Sequence, residues 1–171
     1  MFKLNEEKYK EVILYLAKNV GQGGVYGKKK MYKLLYYVDF DFFEKYEKPI
    51  TGDIYHKLPM GPAPSYFDVI ALELKKEGNL QINKSKSGNG YNDAVVYKAL
   101  TDPKVDIFSK DEKKMLDRVI KLYGDKTGHQ LEILTHKEAP YLAVDEGEGM
   151  PLEFAHYRGT SLYARPIQVQ A

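Results

Sequence analysis

The stretch from about Lys29 to Tyr46 constrains this chain more than any other. Wound as a helix at about 100° per residue, Met31, Leu34, Leu35, Val38 and Phe42 fall in one narrow stripe, and Tyr36, Phe40 and Phe43 lie roughly opposite. A helix that is apolar on two sides must be covered on two sides. Two readings follow: it runs through the middle of a domain, or its aromatic side receives a partner protein. Asp39 flanks the stripe. An unpaired buried carboxylate is costly, so Asp39 is expected to take hydrogen bonds or a cation at the core margin. Lys33 faces the other way and is no obvious mate for it.

Around this helix the punctuation is regular. Asn5 is a good N-cap for a first helix running to about Asn19, with Tyr9, Val12, Ile13, Leu16 and Val20 on one side, and Gly21–Gly24 ends it. After Pro49 and Gly52, residues Asp53 to Leu58 alternate as a short strand with Ile54, His56 and Leu58 on one face. Pro59–Pro64 reads as a turn into a third helix, capped by Ser65 with Asp68 and running to Gly78. Leu80–Lys84 and Tyr91–Leu100 read as a hairpin turning at Asn89–Gly90. Ser109 with Glu112 forms a capping box for a fourth helix that Gly124 stops. Thr127 with Gln130 does the same for a fifth, ending near His136. Beyond Tyr141 the chain turns acidic and irregular, and the tail from Tyr163 to Ala171 is expected to be loosely ordered. The expectation is an α+β fold, mostly helical, with about five helices and a small antiparallel sheet, in a single domain over residues 1–171.

Bulk composition excludes more than it suggests. At 43% apolar and 29% charged residues the chain has enough for a core, and no run approaches the roughly 20 apolar residues of a membrane span. The start, Met1 to Glu7, has no signal-peptide core, so a cytoplasmic location is expected. The absence of cysteine removes disulfides, thiolate chemistry and cysteine metal sites. A net charge of +2 argues for no particular partner class. Fifteen tyrosines and no tryptophan suit half-buried positions and protein interfaces alike.

Few constellations carry chemistry. Lys28, Lys29 and Lys30 oppose the dipole at a helix N-terminus, and they read either as a solvated corner or, with Tyr26 and Tyr32, as a grip for phosphates or an acidic protein. Gly61 is free to take a positive φ or admit a close neighbour, and Pro62 fixes the exit from the turn. His129, Glu132 and His136 share a helix face, but the two histidines stand about 10 Å apart along the axis, too far for one ion. No metal or cofactor is therefore expected. His136 is expected to cap carbonyls or sit on the helix dipole. No nucleophile elbow, zinc-protease helix or phosphate loop is present, so no enzyme is expected, and Asp145–Glu148 lacks calcium-loop spacing.

Four pieces in order carry a resemblance: Lys33–Phe40, Pro49–Asp53, Met60–Pro62, and Tyr123–Gly124 with Leu134–Tyr141. Together they resemble the SocA-like antitoxin, or Panacea domain, family, which includes many phage-associated proteins, over about residues 31–141. The chain departs from the pattern at Tyr141, where many relatives carry tryptophan, and in the extension over 142–171. Fuller antitoxins of the family often add a separate DNA-binding module; none is read in residues 1–171, so promoter binding is not expected of them. The resemblance implies a protein that neutralises a cognate toxin by direct contact, in a toxin–antitoxin pair that is in some cases prophage-borne. The surface expected for that contact is Tyr32, Tyr36, Phe40 and Phe43 with Lys29 and Lys30 at its rim; Asp39, Gly61, Pro62 and His136 are expected to be structural. Two alternatives stand beside it: nucleic-acid binding through the Lys28–Lys33 corner, and a metal-assisted enzyme using Glu132 and His136. Oligomeric state is not written in the sequence.

Overall fold

A computed structural model describes residues 1–85 and 94–159. The Asn89–Gly90 turn and the tail from Tyr163 lie outside the described residues. The chain order is α1 (Glu6–Asn19), β1 (Val25–Tyr26), α2 (Lys28–Tyr46), β2 (Tyr55–Leu58), β3 (Gly61–Pro64), α3 (Phe67–Lys76), β4 (Leu80–Ser85), β5 (Ala94–Ala99), a 3-10 turn (Val105–Ile107), α4 (Lys110–Tyr123), α5 (Gly128–His136), α6 (Ala139–Leu142) and a 3-10 helix (Leu152–Tyr157). The class is α+β and mostly helical, as read from the sequence, with five helices of seven residues or more among the described residues. Among the described residues no helix is long and apolar enough to cross a membrane.

α2 is the axis of the fold. It packs on α4, α5, β3 and the C-terminal 3-10 helix, and both of its apolar sides are covered. Met31, Leu34, Leu35 and Val38 are buried on one side, and Tyr36, Phe40 and Phe43 on the other. The central-helix reading is therefore the one the fold uses. The aromatic flank is core rather than open surface, because Tyr55, Glu138 and His156 close over it.

The helix ends behave as their residues dictate. Asn5 Oδ1 accepts from Lys8 N at 3.0 Å, and both capping boxes, Ser109 with Glu112 and Thr127 with Gln130, are formed. At α3 the expected box is absent. Asp53 reaches over instead, and its carboxylate accepts from the backbone N–H of Ser65 and Tyr66 and from the Tyr9 hydroxyl. Ser65 donates its hydroxyl to the Ile54 carbonyl. A buried aspartate with several donors serves better than an exposed serine with one.

Three β features escape the sequence reading. β1 pairs with β5 to make the sheet order β1-β5-β4, all antiparallel. Pro59–Pro64 is not merely a turn: Gly61–Pro64 pairs with β2, Tyr55 opposite Pro64 and Leu58 opposite Gly61. Proline lacks an N–H, yet it is tolerated on an edge strand, which β3 is. The buried side of β2 is that of Tyr55, not of Ile54, His56 and Leu58. The acidic loop then adds to the free edge of β2, with Lys57 N donating to Glu148 O (2.9 Å) and Met150 N to Tyr55 O (2.7 Å).

The extension beyond Tyr141 is part of the fold as far as Gly159. Met150, Ala155 and Arg158 are buried. Arg158 donates to Asp41 (2.7 Å) and Glu44 (2.6 Å) on α2, and to Glu138 at 3.3 Å. Tyr36 and Tyr37 donate to the same Glu138 carboxylate at 2.9 and 2.8 Å.

Candidate functional site

The first two turns of α2 and the β2–β3 hairpin enclose a groove of about 430 Å³, lined by Lys28, Lys29, Tyr32, Lys33, Leu58, Pro59, Met60, Gly61 and Ala63. Its outer wall is apolar and open: Leu58 is 43% and Met60 61% exposed. Both stand at the tip of the β2–β3 hairpin, where a held backbone would present them in fixed positions. Here it is held. Tyr141 donates its hydroxyl to the Leu58 carbonyl at 2.7 Å, its ring stacks on His136 at 4.4 Å, and Lys57 Nζ lies 4.4 Å from its centroid. His136 is thus a ring platform for the hairpin rather than a carbonyl cap, and its buried Nε2 has no hydrogen-bond partner among the described residues.

The floor of the groove is Lys33. It is only 2% exposed, and its Nζ has one long contact, 3.4 Å to the Pro62 carbonyl. Burial lowers its pKa to about 8, with Glu132 pulling the other way and Lys29 adding to the drop. Gly61 is the reason Lys33 fits. Its φ is +110°, and a Cβ there would stand 2.7 Å from Lys33 Cε and 3.1 Å from Thr135 Oγ1. Two of the sequence pieces, the one starting at Lys33 and the one at Met60–Pro62, therefore meet in space.

The lysine corner is largely taken up inside the molecule. Lys28 pairs with Asp68 at 3.1 Å and Lys29 with Glu132 at 2.8 Å. Lys30 donates to the Gly124 carbonyl at 2.7 Å, the negative end of α4, and burial lowers its pKa. Three cations at the N-terminus of α2 are thus answered by α3, α5 and the end of α4. Lys29 likewise holds the Glu132 carboxylate below the usual range.

Of the residues singled out for contact, Lys29 and Tyr32 line the groove, with Tyr32 donating to Asp68 at 3.0 Å. Lys30 points to α4, and Tyr36, Phe40 and Phe43 lie within the core. Asp39 is fully buried and takes hydrogen bonds, not a cation: it accepts from Ile50 N, Thr51 N, the Thr51 hydroxyl and the Tyr55 hydroxyl. Burial still raises its pKa to about 6. Lys33, Leu58 and Met60 also line the groove, though the sequence reading did not single them out for protein contact.

On the face carrying Glu132 and His136, Glu132 lies against Lys29 of α2 and His136 against the Tyr141 ring. Among the described residues no group of three His, Asp or Glu could hold a metal ion. A second cleft, about 620 Å³ between α1 and the 101–107 segment, is larger. There Lys10 pairs with Glu77 at 2.6 Å, and the backbone N–H of Lys104 donates to the Glu11 carboxylate at 2.7 Å.

A family model described as Antitoxin SocA-like, Panacea domain, matches residues 31–141. The match takes in α2 from Met31 onward, the hairpin, α5 and Tyr141; Lys28 and Lys29 lie before it and Arg158 after it. No curated protein and no solved structure matches the chain.

Proposed function

We propose, from the premise that this chain belongs to the SocA-like antitoxin family and carries its Panacea domain over residues 31–141, that it neutralises a cognate toxin by direct protein–protein contact. Family membership supports a non-enzymatic role with a toxin as the kind of partner. The contact face is the groove between α2 and the β2–β3 hairpin, with Leu58, Met60 and Tyr32 as apolar anchors and Lys28 and Lys29 at the rim. The observation that carries this choice is the pair of exposed apolar side chains on a braced hairpin. Rigid, protruding apolar groups lose little entropy on binding, which is what interface anchors require. The pair is proposed to act in a toxin–antitoxin operon, chromosomal or prophage-borne.

The test is growth. The gene product encoded beside this one is expressed alone, with this chain, and with the Leu58→Asp, Met60→Asp double variant. The proposal expects toxicity alone, rescue by the natural chain, and no rescue by the variant, whose substitutions are at the surface and leave the core intact. Full rescue by the variant would remove this face from the contact.

A further inference from the structure

Resting on that reading, we infer that Lys33 is the receptor for a carboxylate brought by the partner: an acidic side chain set among apolar ones enters the groove and pairs with the Lys33 ammonium. The charge layout argues for it. Among the nine lining residues are three lysines and no acid. Lys28 and Lys29 already have Asp68 and Glu132, whereas among the described residues the Lys33 ammonium donates only to the carbonyl of Pro62, at 3.4 Å. Among the described residues the acid whose charge acts on Lys33 is Glu132, and it makes no hydrogen bond to the ammonium. Glu132 is engaged by Lys29, and Thr135 turns its hydroxyl proton to the Glu132 carbonyl at 3.0 Å.

A buried ammonium with so little compensation is expensive to keep. It is nevertheless held in place by a glycine that no Cβ-bearing residue could replace without moving it. A group retained against stability, in a groove open to solvent, is the mark of a binding site. The apolar walls strengthen the pairing, since a carboxylate arriving between Leu58, Met60 and Tyr32 meets the ammonium in a medium of low dielectric. The apolar part of the same segment packs on those walls. That combination selects an acidic residue flanked by aliphatic or aromatic ones, and rejects a basic or purely polar segment.

The experiment uses the full chain and two small probes, sodium hexanoate and hexanamide, followed by the amide shifts of Tyr32, Gly61 and Ala63. At pH 7 hexanoate is expected to bind at least ten-fold more tightly than hexanamide. In Lys33→Met the preference is expected to vanish while hexanamide still binds, and the melting temperature is expected to equal or exceed that of the natural chain. A second arm needs no variant. Raising the pH to 10 passes the value of about 8 at which Lys33 loses its proton, and the preference should disappear. The charged neighbours are Lys29 on α2 and Glu132 on α5, while β3 presents the Pro62 carbonyl. Equal binding of the two probes, no shift with either, or a preference that survives in Lys33→Met or at pH 10 would each overturn the assignment. Hexanoate preference in a chain that rescues no growth leaves the carboxylate receptor standing and removes the toxin reading. Rescue without the preference removes the receptor.

Discussion

Lys33 and Asp39 sit six residues apart on one helix and show opposite solutions to a buried charge. Asp39 is surrounded by four donors, so replacing it with alanine leaves them unpaired in the core. Asp39→Ala is expected to cost about 3–5 kcal/mol in urea unfolding. Lys33 is the reverse, a charge whose removal relieves the fold. Its folded value of about 8 lies below the usual 10.5, so the penalty is complete below pH 8 and fades as pH rises toward 10.5. Lys33→Met is therefore expected to be more stable by about 1–3 kcal/mol at pH 7, with the gap closing by pH 10.5. A less stable variant at pH 7 would mean the lysine is held by stronger contacts than those described. Asp39 was legible in the sequence because a carboxylate beside an apolar stripe must find donors. Lys33 was not, because nothing local says that a hairpin from residues 55–64 will fold over it.

Elements with periodicity and caps were the readable ones. α1, α4 and α5 announce themselves through Asn5, Ser109 and Thr127, and each cap is formed. β1 has two residues and β3 two prolines, so neither carries an alternating pattern long enough to see. The C-terminal 3-10 helix was equally silent, since Met150, Ala155 and Arg158 follow no helical or strand period. Arg158 nonetheless fastens it to α2 through Asp41 and Glu44. Without it, Asp41, Glu44 and Glu138 would face one another with less compensation. Arg158→Met is expected to lose about 3–5 kcal/mol at pH 7. Burial already raises the pKa of Asp41 and Glu138, and losing the guanidinium raises them further. Groups so raised favour the folded state as pH falls, so the deficit should shrink between pH 7 and pH 5. Urea melts at both values, with limited proteolysis across residues 143–151, would check it; a deficit independent of pH would point to packing rather than charge.

At the scale of the whole molecule, the aromatic side of α2 is core, and the proposed contact surface lies at its first two turns. The sequence placed aromatic residues correctly on the helix but could not say which of them other elements cover. Burial of Tyr36, Phe40 and Phe43 makes their truncation a test of folding, while Leu58 and Met60 test contact. The most direct measurement is calorimetric titration of the purified chain with the purified product of the neighbouring gene, alongside the Leu58→Asp, Met60→Asp double variant. The account predicts a saturable complex for the natural chain and at least a hundred-fold weaker one for the variant, with unchanged melting temperature. Absence of any complex, or equal affinity for both chains, would contradict it.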